Sequence, residues 1–279
     1  MGQVVFIVWR ESIEAMLVVG ILYMWLRSTP KGRRGLPWLW GGVLVGLLLA
    51  AALALALLGI SKWLTDTGQE WFQVLMALAA CCLIVQMVTW MHNHGRSLSH
   101  DLESNTSAYL LEDRWLGVLV LAAIAVAREG SEAVVFIYGV ISASAISGTA
   151  GTMVIAGLAG FIAALVTFWI LQIGGKIFNW KRFFRFTEIL LLLLACSLLM
   201  SASDRLILLE VLPALVDPIW DSNWLLDTTG GVGKVLADFA GYRSYPALSQ
   251  LILFVMYWLC VAWLLRKRTI RPAGHVVPS

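Results

Sequence analysis

The sequence predicts an all-α integral membrane protein with seven transmembrane helices, built as a 3+3 inverted repeat plus a C-terminal helix. Three observations predict it. The 279 residues are 60% hydrophobic and only 13% charged, where soluble domains run nearer half apolar and a quarter charged. The apolar residues gather into seven stretches of about 20, the length that crosses a bilayer as a helix. Two of those stretches carry the same charged block, Arg10-Glu11-Ser12-Ile13-Glu14 and Arg128-Glu129-Gly130-Ser131-Glu132, 118 positions apart.

The spans read in order as Val4–Leu26, Trp38–Ile60, Trp71–Met91, Trp115–Val140, Thr152–Ile173, Glu188–Leu208 and Leu248–Leu265. Each is expected to be a helix, because an open strand leaves its backbone unsatisfied in lipid. Tryptophans 25, 38, 40, 63, 71, 90, 115, 180 and 263 lie at or near span ends, as interfacial residues do. The first span has no basic leader and no small-residue cleavage site, and Arg10, Glu11 and Glu14 interrupt it, so it is expected to be retained. Cys81, Cys82, Cys196 and Cys260 all fall in apolar segments and read as buried small hydrophobes, not a disulfide framework.

Orientation follows from the basic residues. Alternate connections and the tail carry fourteen of them: Arg27, Lys31, Arg33 and Arg34; Arg96 and Arg114; Lys176, Lys181, Arg182 and Arg185; Arg266, Lys267, Arg268 and Arg271. The opposite side holds four: Lys62, Arg205, Lys234 and Arg243. The N-terminus is therefore expected outside and the C-terminus in the cytoplasm. Residues 1–279 read as one transmembrane domain: repeat one 1–92, repeat two 115–208, outer loop 209–247, seventh helix 248–265 and cytoplasmic tail 266–279. The net charge of +3 belongs to this loop pattern. It implies lipid as a partner and no nucleic acid.

The offset of 118 that relates the charged blocks also carries Gly42 onto Gly160, while Ala80-Cys81-Cys82-Leu83-Ile84 resembles Ala195-Cys196-Ser197-Leu198-Leu199 at 115. Each repeat holds three helices. Three is odd, so the second copy inserts upside down, a plan that puts a site near the midplane.

Each charge in a span costs on the order of 2.5–3.5 kcal/mol even on the lenient insertion scale. On a helix with Arg10 at 0°, Glu14 falls at about 40°, Glu11 at about 100° and Gln3 at about 20°, so all share one face. Each Arg can pair with the Glu four residues on. Glu11, Glu14, Glu129 and Glu132 with Arg10 and Arg128 sum to −2 when ionised, a charge that a metal cation balances. Carboxylate oxygens suit hard or borderline cations. A structural clamp between helices is the competing reading, but buried ion pairs add little net stability.

Other residues form lesser candidates. His92, His94 and His100 share a cytoplasmic loop with Asp101 and Glu103, either a receiver for metal or a solvated loop. Glu188 is expected to pair with Arg185, and Asp204 with Arg205. Gln86 is a possible pore liner. Met16, Met87 and Met200 read as packing residues. Asp217, Asp221 and Asp227 in the outer loop offer a cation-collecting or docking surface. Gly42, Gly46, Gly157 and Gly160 are expected at close helix contacts.

The two Arg-Glu-x-x-Glu blocks, in the first and fourth of seven spans, resemble the high-affinity iron permease family, also called the iron/lead transporter family. Arg128-Glu129-Gly130-Ser131-Glu132 is similar to its Arg-Glu-Gly-x-Glu form; Arg10–Glu14 has Ser12 in place of Gly and keeps the charged positions. Phe239-Ala240-Gly241-Tyr242 resembles a further family segment. The resemblance implies a permease that imports ferric iron (Fe3+) across the cytoplasmic (inner) membrane, iron being the transported substrate and not a permanent cofactor. It also implies a separate periplasmic or extracytoplasmic protein that oxidises or delivers the iron. The site charge of −2 matches a divalent ion, Fe2+, Pb2+ or Mn2+, at least as well as a trivalent one. An intramembrane lipid-phosphate enzyme is a third reading, for which no phosphate-cradling loop is found.

Overall fold

The computed structural model describes residues 1–28, 32–94, 115–143, 150–173, 180–224, 226–228 and 230–267. Among them the fold is all-α, with no strand. The helices are α1 (Gly2–Ser28), α2 (Leu36–Trp63), α3 (Asp66–His94), α4 (Trp115–Ala143), α5 (Ala150–Ile173), α6 (Trp180–Leu208), α7 (Gly231–Ala240) and α8 (Leu248–Lys267). A 3-10 turn, Gly32–Gly35, leads into α2, whose Pro37 lies in the first turn, where its missing N–H costs nothing.

Among the described residues, five stretches are long and apolar enough to cross a membrane: Gly32–Trp63, Asp66–Met91, Gly151–Ile170, Arg185–Leu208 and Leu248–Arg266. Helices α1 and α4 have the length, 27 and 29 residues, but each carries its charged block near its middle. Every expected span lies inside one of the long helices. The sixth begins earlier than Glu188, since α6 starts at Trp180 and continues through the basic cluster. Helix α7 is an addition inside the expected outer loop.

Burial divides the helices by role. Helices α3 and α6 supply most of the central apolar cluster, with Ala80, Ile84, Met87 and Val88 facing Leu191, Leu194, Ala195 and Leu198. Val4 and Ile7 of α1, Phe136 and Val140 of α4, and Tyr257 of α8 complete it. Leu44, Leu48, Leu55 and Leu58 of α2 and Ile155, Ile162, Trp169 and Ile170 of α5 stay exposed. An apolar outer surface is what lipid contact requires.

The packing is reciprocal. Helix α2 lies chiefly against α4, and α5 against α1; α1 also meets α4, and α3 meets α6. The close approaches fix the register. A Cβ on Gly46 would sit 2.8 Å from Val126 Cβ and 2.9 Å from the Ala123 carbonyl oxygen. A Cβ on Gly160 would sit 2.6 Å from the Val5 carbonyl oxygen and 3.0 Å from Val8 Cβ. Residues 5 and 8 plus 118 are 123 and 126. Gly160 is therefore the counterpart of Gly46, at an offset of 114, and not of Gly42 as the sequence match suggests. The second helices are shifted by four residues, about one turn, relative to the charged blocks. Gly42 is nonetheless in close contact, against Leu119 and Ala122. Gly157 is not: a Cβ there meets nothing, because it faces outward on α5.

The segment between α6 and α8 folds back on the bundle. Gly241 ends α7 in the left-handed conformation (φ 72°), and a Cβ there would lie 2.9 Å from Met200 Cγ. Both conditions select glycine. Gln3 donates to the Asp238 carbonyl, Ser197 donates to the Ala237 carbonyl at 3.2 Å, and Phe6 meets Phe239 edge-on. Asp204 pairs with Arg243 at 2.8 Å and accepts from Gln250, whereas Arg205 donates to the Ser142 carbonyl. The expected Asp204–Arg205 pair is replaced because Arg243 and Gln250 take the Asp204 carboxylate and the Ser142 carbonyl takes Arg205. The four cysteines are free; Cys81 and Cys196 are buried, but Cys82 and Cys260 are exposed on outward helix faces, contrary to expectation.

Candidate functional site

The first charged block lies on α1, which packs against α4 and α5, and the end of α3 reaches it through Met87 and Met91. Arg10 and Glu11 are each only 3% exposed. The Arg10 guanidinium uses both ends: Nη1 meets Glu11 Oε1 at 2.7 Å and Nη2 meets Glu14 Oε1 at 2.5 Å. One turn of helix thus wraps two carboxylates around one cation. The second block is arranged differently. Arg128 Nε donates to Glu132 Oε1 at 3.0 Å, and the guanidinium lies over the Trp90 ring at 5.1 Å. Arg128 is 46% exposed and borders an apolar groove between α2 and α4, lined by Val45, Leu49, Ala123 and Ile124.

Glu129, buried on the second block, turns toward the first. Ligand oxygens of Glu11, Glu14 and Glu129 lie within 4.8 Å of one another. Glu132 is outside that trio, although its charge acts on Glu11 and Glu14. The structure therefore gathers the four expected carboxylates as three plus one. The asymmetry follows from the arginines: Arg10 is held inside by its two partners, while Arg128 leans outward over Trp90 and keeps Glu132 with it.

The trio is electrostatically expensive. Two charged carboxylates 4.8 Å apart repel by about 3.5 kcal/mol at an effective dielectric of about 20. Glu11 Oε2, Glu129 Oε2 and Glu132 Oε2 are buried and have no hydrogen-bond partner among the described residues. Orphaned buried acceptors are destabilising. Converging oxygens with unused lone pairs have the chemistry to coordinate a cation.

The sequence matches the Iron permease FTR1 family over residues 1–271. The chain belongs to that family. It is an iron permease, a multi-pass membrane transporter and not an enzyme; the lipid-phosphate reading falls. It is 28% identical over 260 residues to a protein named ferrous iron permease EfeU from Yersinia pestis, covering 90% of this chain and 88% of the relative. It is also 28% identical over 281 residues to the ferrous iron permease EfeU of Escherichia coli O6:K15:H31 (strain 536 / UPEC), covering 96% and 97%. The same identity holds over 259 residues with that of Shigella sonnei (strain Ss046), covering 89% of each. No solved structure matches.

In this iron permease, three residues beside the charged blocks escape sequence reasoning. Met87 Sδ lies 3.2 Å from Arg10 Nη1, and Met91 Sδ 4.0 Å from Arg10 Nη2. Trp90, read as interfacial, is the ring under Arg128. All three sit on the last turns of α3, and their spacing of three and four residues puts them on adjoining faces. Their distance in sequence from both motifs hides them. Met87 does pack in the central cluster as expected, in addition to touching Arg10.

The remaining candidates separate. Glu188 is half-buried on the stripe of α6 that carries Leu191, Leu192 and Ala195, and its charge acts on Glu14; Arg185 is exposed. Gln86 is exposed on α3 and does not line the site, since the buried face of that turn belongs to Met87 and Val88. Gln3 is buried and reaches Asp238, away from the trio. Asp217, Asp221 and Asp227 are exposed on the segment between α6 and α8. The side chains of His92 and His94, and the whole of His100, Asp101 and Glu103, lie outside the described residues.

Proposed function

We propose that this permease imports iron across the cytoplasmic membrane by passing it through the carboxylates of Glu11, Glu14 and Glu129, with Glu132 as an adjoining ligand. The buried trio with its unpaired oxygens carries the reading. Arg10 and Arg128 orient the carboxylates and limit their charge. The ion is ferrous. A net charge of −2 over the four carboxylates and two arginines matches a divalent cation, and the relatives are named ferrous iron permeases. The all-oxygen carboxylate set favours the ferric ion as the second reading, since hard donors prefer hard cations.

Seven spans serve this function, α1 and α4 crossing the membrane together with the five apolar stretches. Their charges are tolerable because they face the bundle interior and pair with one another. The reciprocal packing of α2 on α4 and α5 on α1 supports the inverted repeat. The basic-residue asymmetry supports an outer N-terminus and a cytoplasmic C-terminus. Residues 1–279 act as one permease domain, served by a separate extracytoplasmic protein that delivers iron to the exposed outer segment.

Glu14→Ala and Glu129→Ala are expected to abolish uptake of radioactive iron while membrane abundance stays at the wild-type level. Wild-type uptake in either variant rejects the site. Uptake faster with ascorbate than without it supports the ferrous ion; the reverse supports the ferric one.

A further inference from the structure

Arg10 occupies an unusual position for a counter-ion. Each terminal nitrogen touches one carboxylate and one thioether: Nη1 lies between Glu11 Oε1 at 2.7 Å and Met87 Sδ at 3.2 Å, and Nη2 between Glu14 Oε1 at 2.5 Å and Met91 Sδ at 4.0 Å. The guanidinium is a tethered cation held between a pair of oxygens and a pair of sulfurs. The sulfurs and the carboxylates thus converge on one place.

We propose that Met87 and Met91 are metal ligands of this site, whose thioether sulfurs make it a mixed oxygen–sulfur centre selecting iron and softer divalent ions over hard ones. The inference rests on the reading of Glu11, Glu14 and Glu129 as the iron site. The two methionines are four residues apart, so both sulfurs present to one point from one face of α3. They reach Arg10 from α3, whereas its two carboxylates belong to α1. Thioethers bind borderline and soft cations and hold magnesium or manganese poorly. A carboxylate cluster alone does not discriminate against those more abundant hard ions. The methionine side chain is also flexible enough to follow a moving cation.

The competing role for the sulfurs is to accept weak hydrogen bonds from Arg10 and nothing more. Selectivity separates the two. The full-length protein in proteoliposomes is assayed for Fe(II) uptake under a reductant, with Cd(II), Mn(II) and Mg(II) as competitors. In the Met87→Leu/Met91→Leu variant, a volume-conserving change, competition by Cd(II) is expected to weaken on the order of tenfold, with competition by Mn(II) retained or strengthened. X-ray absorption of the Cd(II)-loaded protein should show a sulfur neighbour that the variant lacks. An unchanged order of competitors, or a loss of equal size for every ion without loss of the sulfur signal, overturns the proposal. Glu14→Ala and Glu129→Ala run alongside. If they still bind and carry Cd(II) and Fe(II), the underlying site reading fails; if they do not and the methionine variant keeps its selectivity, only the thioether proposal fails.

Discussion

Arginine is not interchangeable with lysine at position 10. The planar guanidinium bridges two carboxylates of its own helix at once, a geometry that a single ammonium cannot reproduce. Arg10→Lys is expected to lower iron uptake at least tenfold. Arg128→Lys should be milder, because Arg128 holds one carboxylate and is half-exposed. Uptake kinetics on both variants at matched abundance checks the ranking; equal losses would contradict the asymmetry. Trp90→Leu removes the ring under Arg128, an interaction worth about 0.5–2 kcal/mol, and should shift the apparent affinity for iron modestly without abolishing transport. The two charged blocks were fully legible as residues. Their unequal use was not, since it depends on which arginine finds Met87 and Met91 and which finds Trp90.

At the scale of helices, small residues set the distances. Gly160→Leu drives a side chain into the α1 backbone at Val5 and Val8 and should destabilise the protein by about 1–3 kcal/mol or more. Gly157→Leu, three residues away, meets open space and should leave the melting temperature in detergent unchanged. A matching loss at both positions would show that the α1–α5 register is wrong. The glycines could be found in the sequence, and their use in helix contacts inferred. Which of two glycines four residues apart is the counterpart of Gly160 could not, because a repeat inferred from short matches is uncertain by a turn. The contacts at Gly46 and Gly160 remove that uncertainty.

For the whole molecule, the outer segment and the topology are the features at stake. Arg243 and Gln250 converge on Asp204, tying the residues after α7 to the end of α6. Asp204→Asn keeps the shape and loses the ion pair, so hydrogen exchange in residues 230–247 is expected to speed up while that in α3 and α6 stays slow. No change in exchange would show that α7 is held by its other contacts alone. A fluorescent protein fused after Ser279 should be bright, as cytoplasmic fusions are, and an epitope at the N-terminus should be accessible from outside. Termini on the same side would refute the odd number of crossings, and both termini reversed would refute the orientation.

The sequence by itself determined the class, the long helices, the family and the six charged residues. Those depend on composition, on apolar length and on a paired motif, all of which are properties of single segments. Only the tertiary structure decided that three carboxylates cluster while Glu132 stays with Arg128, that Asp204 chooses Arg243, and that the end of α3 brings Met87 and Met91 to Arg10. These depend on which faces of distant helices meet. Helical periodicity gives each helix a face; packing decides its partner.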